Sequence, residues 1–317
     1  MKRQSVLTFA FTFILLAVGC PAVPVHALES PALTGVCVHS LTDREANLVK
    51  LAGVQWIRAD VAEIPGSYSF SEISLNAKKN GIKILGILDI WTMKWNWSFS
   101  LDEWERSVRA SVATYNGSVD AWEIWNEPGS ASNPITPERY YDMLRIAYPI
   151  IKDANPTSVV LMGGGLQLYT GGDPWLARDE AFAKRLFELG AEGYADAISF
   201  HAYPWARVVD NWVWNKYGES LSYYRSLFKK QIGIWITETG QPAEFNGEQG
   251  QAKYVGDVLS FFAARGVNNL FWYELRDNPR WTTQTPTFGL LSESLKPRLA
   301  FLSLEESHHI IMNGTRT

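Results

Sequence analysis

The feature that most constrains this chain is a repeated alternation in which eight short apolar runs are each followed by an amphipathic stretch. The runs are "GVCVHS" (35–40), "VQWIRAD" (54–60), "IKILGILD" (82–89), "VDAWEIWNE" (119–127), "SVVLMGGG" (158–165), "DAISFHAY" (196–203), "IGIWITET" (232–239) and "NNLFWYEL" (268–275). Strands that are apolar on both faces need cover on both, and the intervening amphipathic segments supply it, as in βα units around a parallel sheet. Those segments carry helix punctuation of their own. Thr42 with Glu45, Ser69 with Glu72 and Ser100 with Glu103 have capping-box spacing, and Pro137 follows Thr136 at a first-turn position. Gly53, Gly81, Gly190 and Gly266 stand where helices end in a left-handed residue, and a last helix is expected from about Lys296 to Ile311. Eight such units match a (β/α)₈ TIM barrel, whose usual size is ~250 residues plus loop insertions. A doubly wound open sheet would place a glycine-rich turn after its first strand, where this chain has "LTDRE".

The first residues, "MKRQSVLTFAFTFILLAVGCPAVPVHALES", join Lys2 and Arg3 to an apolar stretch and a small-residue site at Ala27. That is the layout of a secretory signal peptide over residues 1–27, leaving a single (β/α)₈ domain of 28–317 and a secreted or cell-surface protein. The apolar run is shorter than the ~20 residues of a spanning helix, so no membrane span is expected. Lipid anchoring at Cys20 is disfavoured because Ala17 stands where a larger aliphatic residue is usual. Cleavage after Ala27 would leave Cys37 as the single cysteine and no internal disulfide. The net charge of -4 comes from interspersed acids and bases, which gives no nucleic-acid footprint. A monomer with one domain and no cofactor is expected. "NWS" at Asn96, "NGS" at Asn116 and "NGT" at Asn313 match the glycosylation acceptor pattern.

Chemistry in such a barrel belongs to the strand ends. Those ends carry His39, Arg58, Asp60, Asp89, Asn126, Glu127, His201, Tyr203, Glu238, Trp272 and Glu274, a dense set of polar groups on otherwise apolar strands. A carboxylate inside a packed barrel is costly to desolvate, whereas at the rim it can be paired and partly wet, so Glu127 reads as a pocket residue. Glu238 ends the seventh strand, across the mouth from the fourth, and by simple alternation shares a face with Ile234 and Ile236. Two carboxylates facing each other across a pocket are what glycosidic bond cleavage requires. Glu123 reads as the structural partner of a basic group, and Asp60 and Asp89 as structural carboxylates between strand ends. A metal-dependent hydrolase is disfavoured: outside the leader and the last helix only His39 and His201 remain, with no H-x-H or H-E-x-x-H spacing, so no metal site is expected.

"WNEP" ending a fourth strand, "HAY" a sixth, "TETG" a seventh and a tryptophan ending an eighth resemble clan A of the glycoside hydrolases, the retaining (β/α)₈ enzymes. The closing segment "FGLLSESLKPRLAF" is similar to that of cellulase-like family 5 members, and "WNEP" is also similar to the family 39 xylosidases. This resemblance implies Glu127 as general acid/base and Glu238 as nucleophile. It further implies that Asn126 bonds the sugar 2-hydroxyl, Tyr203 holds Glu238, Arg58 keeps Glu238 ionised, His201 lines the sugar pocket and Trp272 forms its floor. Trp125 and Pro128 would give Glu127 a less polar setting. The chain departs from family 5 in placing Trp91 where a histidine usually follows the third strand, and from family 39 in showing no second, β-sandwich domain.

Fourteen tryptophans are many for 317 residues, and they gather in loops: Trp91, Trp95 and Trp97, then Trp205, Trp212 and Trp214, and Trp281. Sugar rings stack on indoles, so Trp91 and its neighbours are candidate substrate contacts, with His39 a further rim candidate. An extended aromatic platform favours endo action on a polysaccharide or oligosaccharide. The reading from a different class is a barrel that binds glycan without cleaving it, which would keep the aromatics but tolerate loss of a carboxylate.

Overall fold

The computed structural model describes residues 34–129, 134–168, 175–204, 208–278 and 287–313. The leader with Cys20, and the loop residues Trp205 and Trp281, lie outside them. Eight parallel strands close into a barrel: β1 (Gly35–Cys37), β2 (Trp56–Asp60), β5 (Lys83–Leu88), β6 (Ala121–Ile124), β7 (Val159–Gln167), β8 (Ala197–His201), β9 (Gly233–Thr239) and β10 (Asn269–Trp272), which pairs back onto β1. The expected barrel is therefore present, with most strands shorter than the apolar runs that contain them. One element has no counterpart in the sequence reading, a small antiparallel hairpin of β3 (Glu63–Ile64) and β4 (Tyr68–Ser69) in the loop after β2.

The helix signals act as read. Thr42 and Ser100 form complete capping boxes with Glu45 and Glu103, while Ser69 and Thr136 each accept from a first-turn N–H. Gly53, Gly81, Gly190 and Gly266 all adopt positive φ just beyond α1 (Asp43–Leu51), α2 (Phe70–Lys79), α5 (Trp175–Leu189) and α7 (Ala243–Ala263). The last helix, α8, is Leu299–Asn313 and starts two residues after Pro297, later than expected. Among the described residues no helix is long and apolar enough to cross a membrane.

Two apolar layers support the site. Between barrel and helices lies the main core, and inside the barrel a smaller cluster takes one residue from each strand: Cys37, Trp56, Leu85, Ala121, Leu161, Ala197, Trp235 and Phe271. Trp56, Trp235 and Phe271 pack ring on ring there, at centroid separations of 5.3 to 6.5 Å. This aromatic plug seals the barrel from below, so polar inward residues have room only above it, towards the C-terminal ends of the strands.

Candidate active site

Going up the barrel from the plug, the inward positions turn polar. On β2 the period of two carries Trp56 to Arg58 and then Asp60. Arg58, 3% exposed, divides its guanidinium among three partners: Nε to Glu123 (2.6 Å), Nη1 to Glu238 (2.6 Å) and Nη2 to the Asn126 side-chain oxygen (2.8 Å). Glu123 is fully buried, and its other oxygen accepts from the Thr237 hydroxyl at 2.9 Å. It is the structural partner of a basic group, and that group is Arg58.

Glu238 reaches the same guanidinium by breaking the alternation. In β9, Trp235 belongs to the plug and Thr237 points inward to Glu123, while Ile234 and Ile236 pack outward in the main core. A regular strand would turn Glu238 outward with those isoleucines, which is where the sequence period places it. A register shift corrects this: Phe200 pairs with Ile236 but His201 pairs with Glu238, so the strand bulges at Thr237 and both residues face the barrel. Glu238 keeps 13% exposure, with Oε1 on Arg58 and Oε2 accepting from Tyr203 at 2.6 Å. Burial pushes its carboxyl up, but the charges of His201 and Arg58, with hydrogen bonds from Tyr203 and Arg58, outweigh burial and hold it below the usual carboxylate range.

Glu127 is presented by another departure from regular backbone. β6 stops at Ile124, and Trp125 (φ 68°) and Glu127 (φ 45°) are both left-handed. Such conformations are strained in residues other than glycine and persist only where the surroundings enforce them. The enforcement comes from β7, whose Gly163, Gly164 and Gly165 form a bulge of positive φ. The Glu127 N–H donates to the Gly164 carbonyl at 2.5 Å, and a Cβ on Gly164 would stand 2.8 Å from the Trp125 oxygen. A Cβ on Gly165 would stand 2.1 Å from His201 Nε2. The glycine run read only as a strand end is thus the space into which the acidic turn and the His201 ring fit.

Glu127 is 39% exposed, and its Oε1 meets His201 Nδ1 at 2.9 Å and Nε2 of Gln167 at 3.0 Å. Trp125 turns away from it into Phe99 and Trp104, so the less polar setting expected from that neighbour is absent. His201, fully buried, stands between the two glutamates, with Nε2 3.6 Å from Glu238 Oε1. Burial favours its neutral ring, but Glu238 and Glu127 raise it above the ordinary histidine value. Gln167, the direct register partner of His201 between β7 and β8, was not read from the sequence, because it lies beyond the glycine bulge where the expected strand ended.

A cavity of about 320 Å³ opens over these groups, lined by Arg58, Asn126, Glu127, Glu238, His39 and Trp91 among others. Asp60 and Asp89 also line it, so they are cavity groups rather than purely structural ones. Burial raises Asp89 well above a normal carboxyl, and the neighbouring Asp60 adds to this. His39 forms an ion pair with Glu274 at 3.3 Å and an edge contact with the Tyr273 ring. Trp91 sits half-buried at the rim, its ring 5.0 Å from that of Trp95 and 5.8 Å from Tyr68, and its backbone N–H donates to Asp89 Oδ1 at 2.9 Å.

Trp272 is a correction. It alternates with the plug residue Phe271, so it faces the helices: it is 1% exposed, packs on Tyr254 of α7 and donates its indole N–H to the Phe288 carbonyl at 3.0 Å. The aromatic that lines the cavity from this strand is Tyr273, one residue later. Among the described residues no three His, Cys, Asp or Glu side chains are grouped to hold a metal ion.

A closed parallel barrel whose mouth holds two carboxylates with one imidazole between them defines the architectural class. No protein-family model and no curated protein sequence matches the chain. Solved structures do resemble it. A family 39 glycoside hydrolase from the gut symbiont Bacteroides cellulosilyticus WH2 aligns with a TM-score of 0.66 at 23% identity, over 90% of this chain and 65% of that one. A glucosidase from Croceicoccus marinus aligns at 0.68 and 14% identity, over 89% and 66%, and native xylanase 10B from Thermotoga maritima at 0.62 and 16%, over 90% and 97%. The chain thus spans just under two thirds of the length of the first two. At these identities the likeness establishes the shared barrel.

Proposed function

We propose that the protein is a retaining β-glycoside hydrolase that works by double displacement, with Glu238 as nucleophile and Glu127 as general acid/base. The observation that carries this reading is the contrast between two carboxylates in one cavity. Glu238 has both oxygens engaged and is held ionised by Arg58 and Tyr203. Glu127 is the more exposed of the two and touches no arginine or lysine among the described residues. In the first step Glu238 attacks the anomeric carbon while Glu127 protonates the departing oxygen. In the second, Glu127 takes a proton from water, which releases the sugar from Glu238. Asn126, fixed by Arg58, would meet the 2-hydroxyl, and Tyr203 would hold Glu238 in place for the attack.

The substrate is read as a β-linked polysaccharide or oligosaccharide cleaved internally. Two larger hollows support endo action: one of about 490 Å³ meets the cavity at His39 and one of about 570 Å³ meets it at Trp91, on either side of the β3–β4 hairpin. Trp95 and Trp97 are exposed beside the second. Tyr273, rather than Trp272, takes the aromatic place in the pocket. Secretion rests on the leader sequence alone. The test is reducing-sugar release from β-glucan, mannan, xylan, galactan and bacterial exopolysaccharides by wild type and Glu127→Gln. Release from one polymer, lost in the variant, supports the reading; binding without release by wild type would favour the non-catalytic barrel.

A further inference from the structure

Trp95 presents a large apolar ring to solvent, 51% exposed, from a backbone that resists carrying it. Its φ is 63° and that of Lys94 before it is 53°, so two successive residues with full side chains are left-handed. A bulky residue holds that conformation only where its surroundings enforce it. Here the turn is closed by the Lys94 N–H on the Trp91 carbonyl (3.0 Å), the Trp95 N–H on that of Ile90 (2.9 Å) and the Asn96 N–H on that of Met93 (3.1 Å), with Ile90 and Met93 buried. So fixed, the Trp95 ring lies 5.0 Å from that of Trp91, tilted by 54°. Trp91 lines the cavity of the two glutamates, so Trp95 continues an aromatic surface that begins inside it.

The side of the scissile bond on which this surface lies follows from the order of the strands. Around the barrel the wall runs β2, β5, β6, β7, β8. The sugar bonded to Glu238 is the one whose 2-hydroxyl would meet Asn126, and Asn126 is tied back to Arg58 on β2. From there the cavity wall continues through Asp60 and Asp89 to Trp91, all on the β2–β5 side of Glu127. Gln167 and His201 reach Glu127 from its other side, from β7 and β8. A glycone seated over Asn126 and Arg58 therefore sends the departing group past Glu127 and leaves Trp91 and Trp95 to the part of the chain that stays. We propose that Trp95, with Trp91, holds the second sugar unit of the glycone, so that the sugar transferred to Glu238 is the end of an oligosaccharide rather than a single unit. This rests on the reading of Glu238 as nucleophile.

The test compares 4-nitrophenyl β-glycosides of the monosaccharide and the disaccharide of whichever polymer the panel identifies, so that the leaving group stays fixed and only the glycone lengthens. kcat/KM then reads binding and attack of the glycone. Half of the exposed indole, roughly 60 Å², covered at ~25 cal/mol per Å² corresponds to about 10-fold. Wild type should gain at least about 10-fold in kcat/KM from mono- to disaccharide. Trp95→Ala should lose most of that gain, and Trp95→Phe, which keeps an aromatic face, should retain most of it. No gain from the second unit in wild type, or a gain that Trp95→Ala leaves intact, would overturn the proposal. An equal fall on both substrates would overturn it too, as the mark of a purely structural role in the loop. If Glu238→Ala keeps wild-type turnover of the disaccharide glycoside, it is the assignment of the nucleophile that fails, separately from Trp95.

Discussion

Arg58→Met removes the cation on which the interior of the barrel depends, and the size of the effect follows from its contacts. Arg58 and Glu123 are 3% and 0% exposed with 2.6 Å between charged atoms, and Glu238 lies 2.6 Å away on the other side. At an effective dielectric of 20, a pair with charge centres ~4 Å apart is worth about 4 kcal/mol, and breaking a buried pair by removing one partner costs about 3–5 kcal/mol. Out of a total stability on the order of 5–15 kcal/mol that is a large loss. The remedy distinguishes the cause. Arg58→Met with Glu123→Leu removes both buried charges, and apolar replacement of a whole buried pair is often neutral or stabilising. The double variant should therefore recover at least about 2 kcal/mol over the single one, a coupling that a thermodynamic cycle resolves. Urea unfolding followed by tryptophan fluorescence reads the stability, and activity should stay low in both variants because Glu238 has lost its counter-charge. A loss below about 1 kcal/mol in Arg58→Met, or no recovery in the double variant, would mean that the buried pair does not carry this energy.

Gly165→Ala should cost several kcal/mol, since a Cβ 2.1 Å from the His201 ring at φ 81° can be accommodated only by displacing that ring; thermal unfolding checks this. Because Glu238 is held below the ordinary carboxylate range, its pairing should stabilise the fold fully above about pH 4.3 and fade as pH falls through the lowered folded value. The Tm difference between wild type and Glu238→Gln should shrink correspondingly on acidification. Asp89 is raised, so its ionisation opposes folding: Asp89→Asn should raise Tm at pH 8 but not at pH 4, and a lower Tm at pH 8 would count against the buried Asp60–Asp89 repulsion. Trp272→Phe should lower stability by about 1–3 kcal/mol with KM unchanged, whereas Tyr273→Ala should raise KM, because only Tyr273 lines the cavity.

Much of the scaffold was legible because its signals are local. Capping pairs and helix-ending glycines act within a turn or two of themselves, and the βα alternation repeats eight times. Pairings such as Tyr203 with Glu238 and Arg58 with Glu238 were accessible only through resemblance, since nothing local joins residues so distant in sequence. The site departs from expectation where the period of two breaks. The bulge at Thr237 turns Glu238 inward, the bulge at Gly163 to Gly165 extends β7 to Gln167, and two left-handed residues aim Glu127. Bulges and strained turns are set by what packs against them, so a rule that assumes regular strands misses them. Trp272 shows the converse. There the plain alternation from Phe271 holds, and it is the expectation of a tryptophan floor that gives way.

Double displacement requires that Glu238 form a covalent bond to the sugar. The most direct measurement is the intact mass of the protein after incubation with an activated 2-deoxy-2-fluoro glycoside of the identified sugar, followed by peptide mapping. A mass increase of one fluoroglycosyl unit on the peptide containing Glu238, absent in Glu238→Ala, is the predicted result. Turnover of the matching glycoside without any such adduct, or an adduct on Glu127 instead, would contradict it.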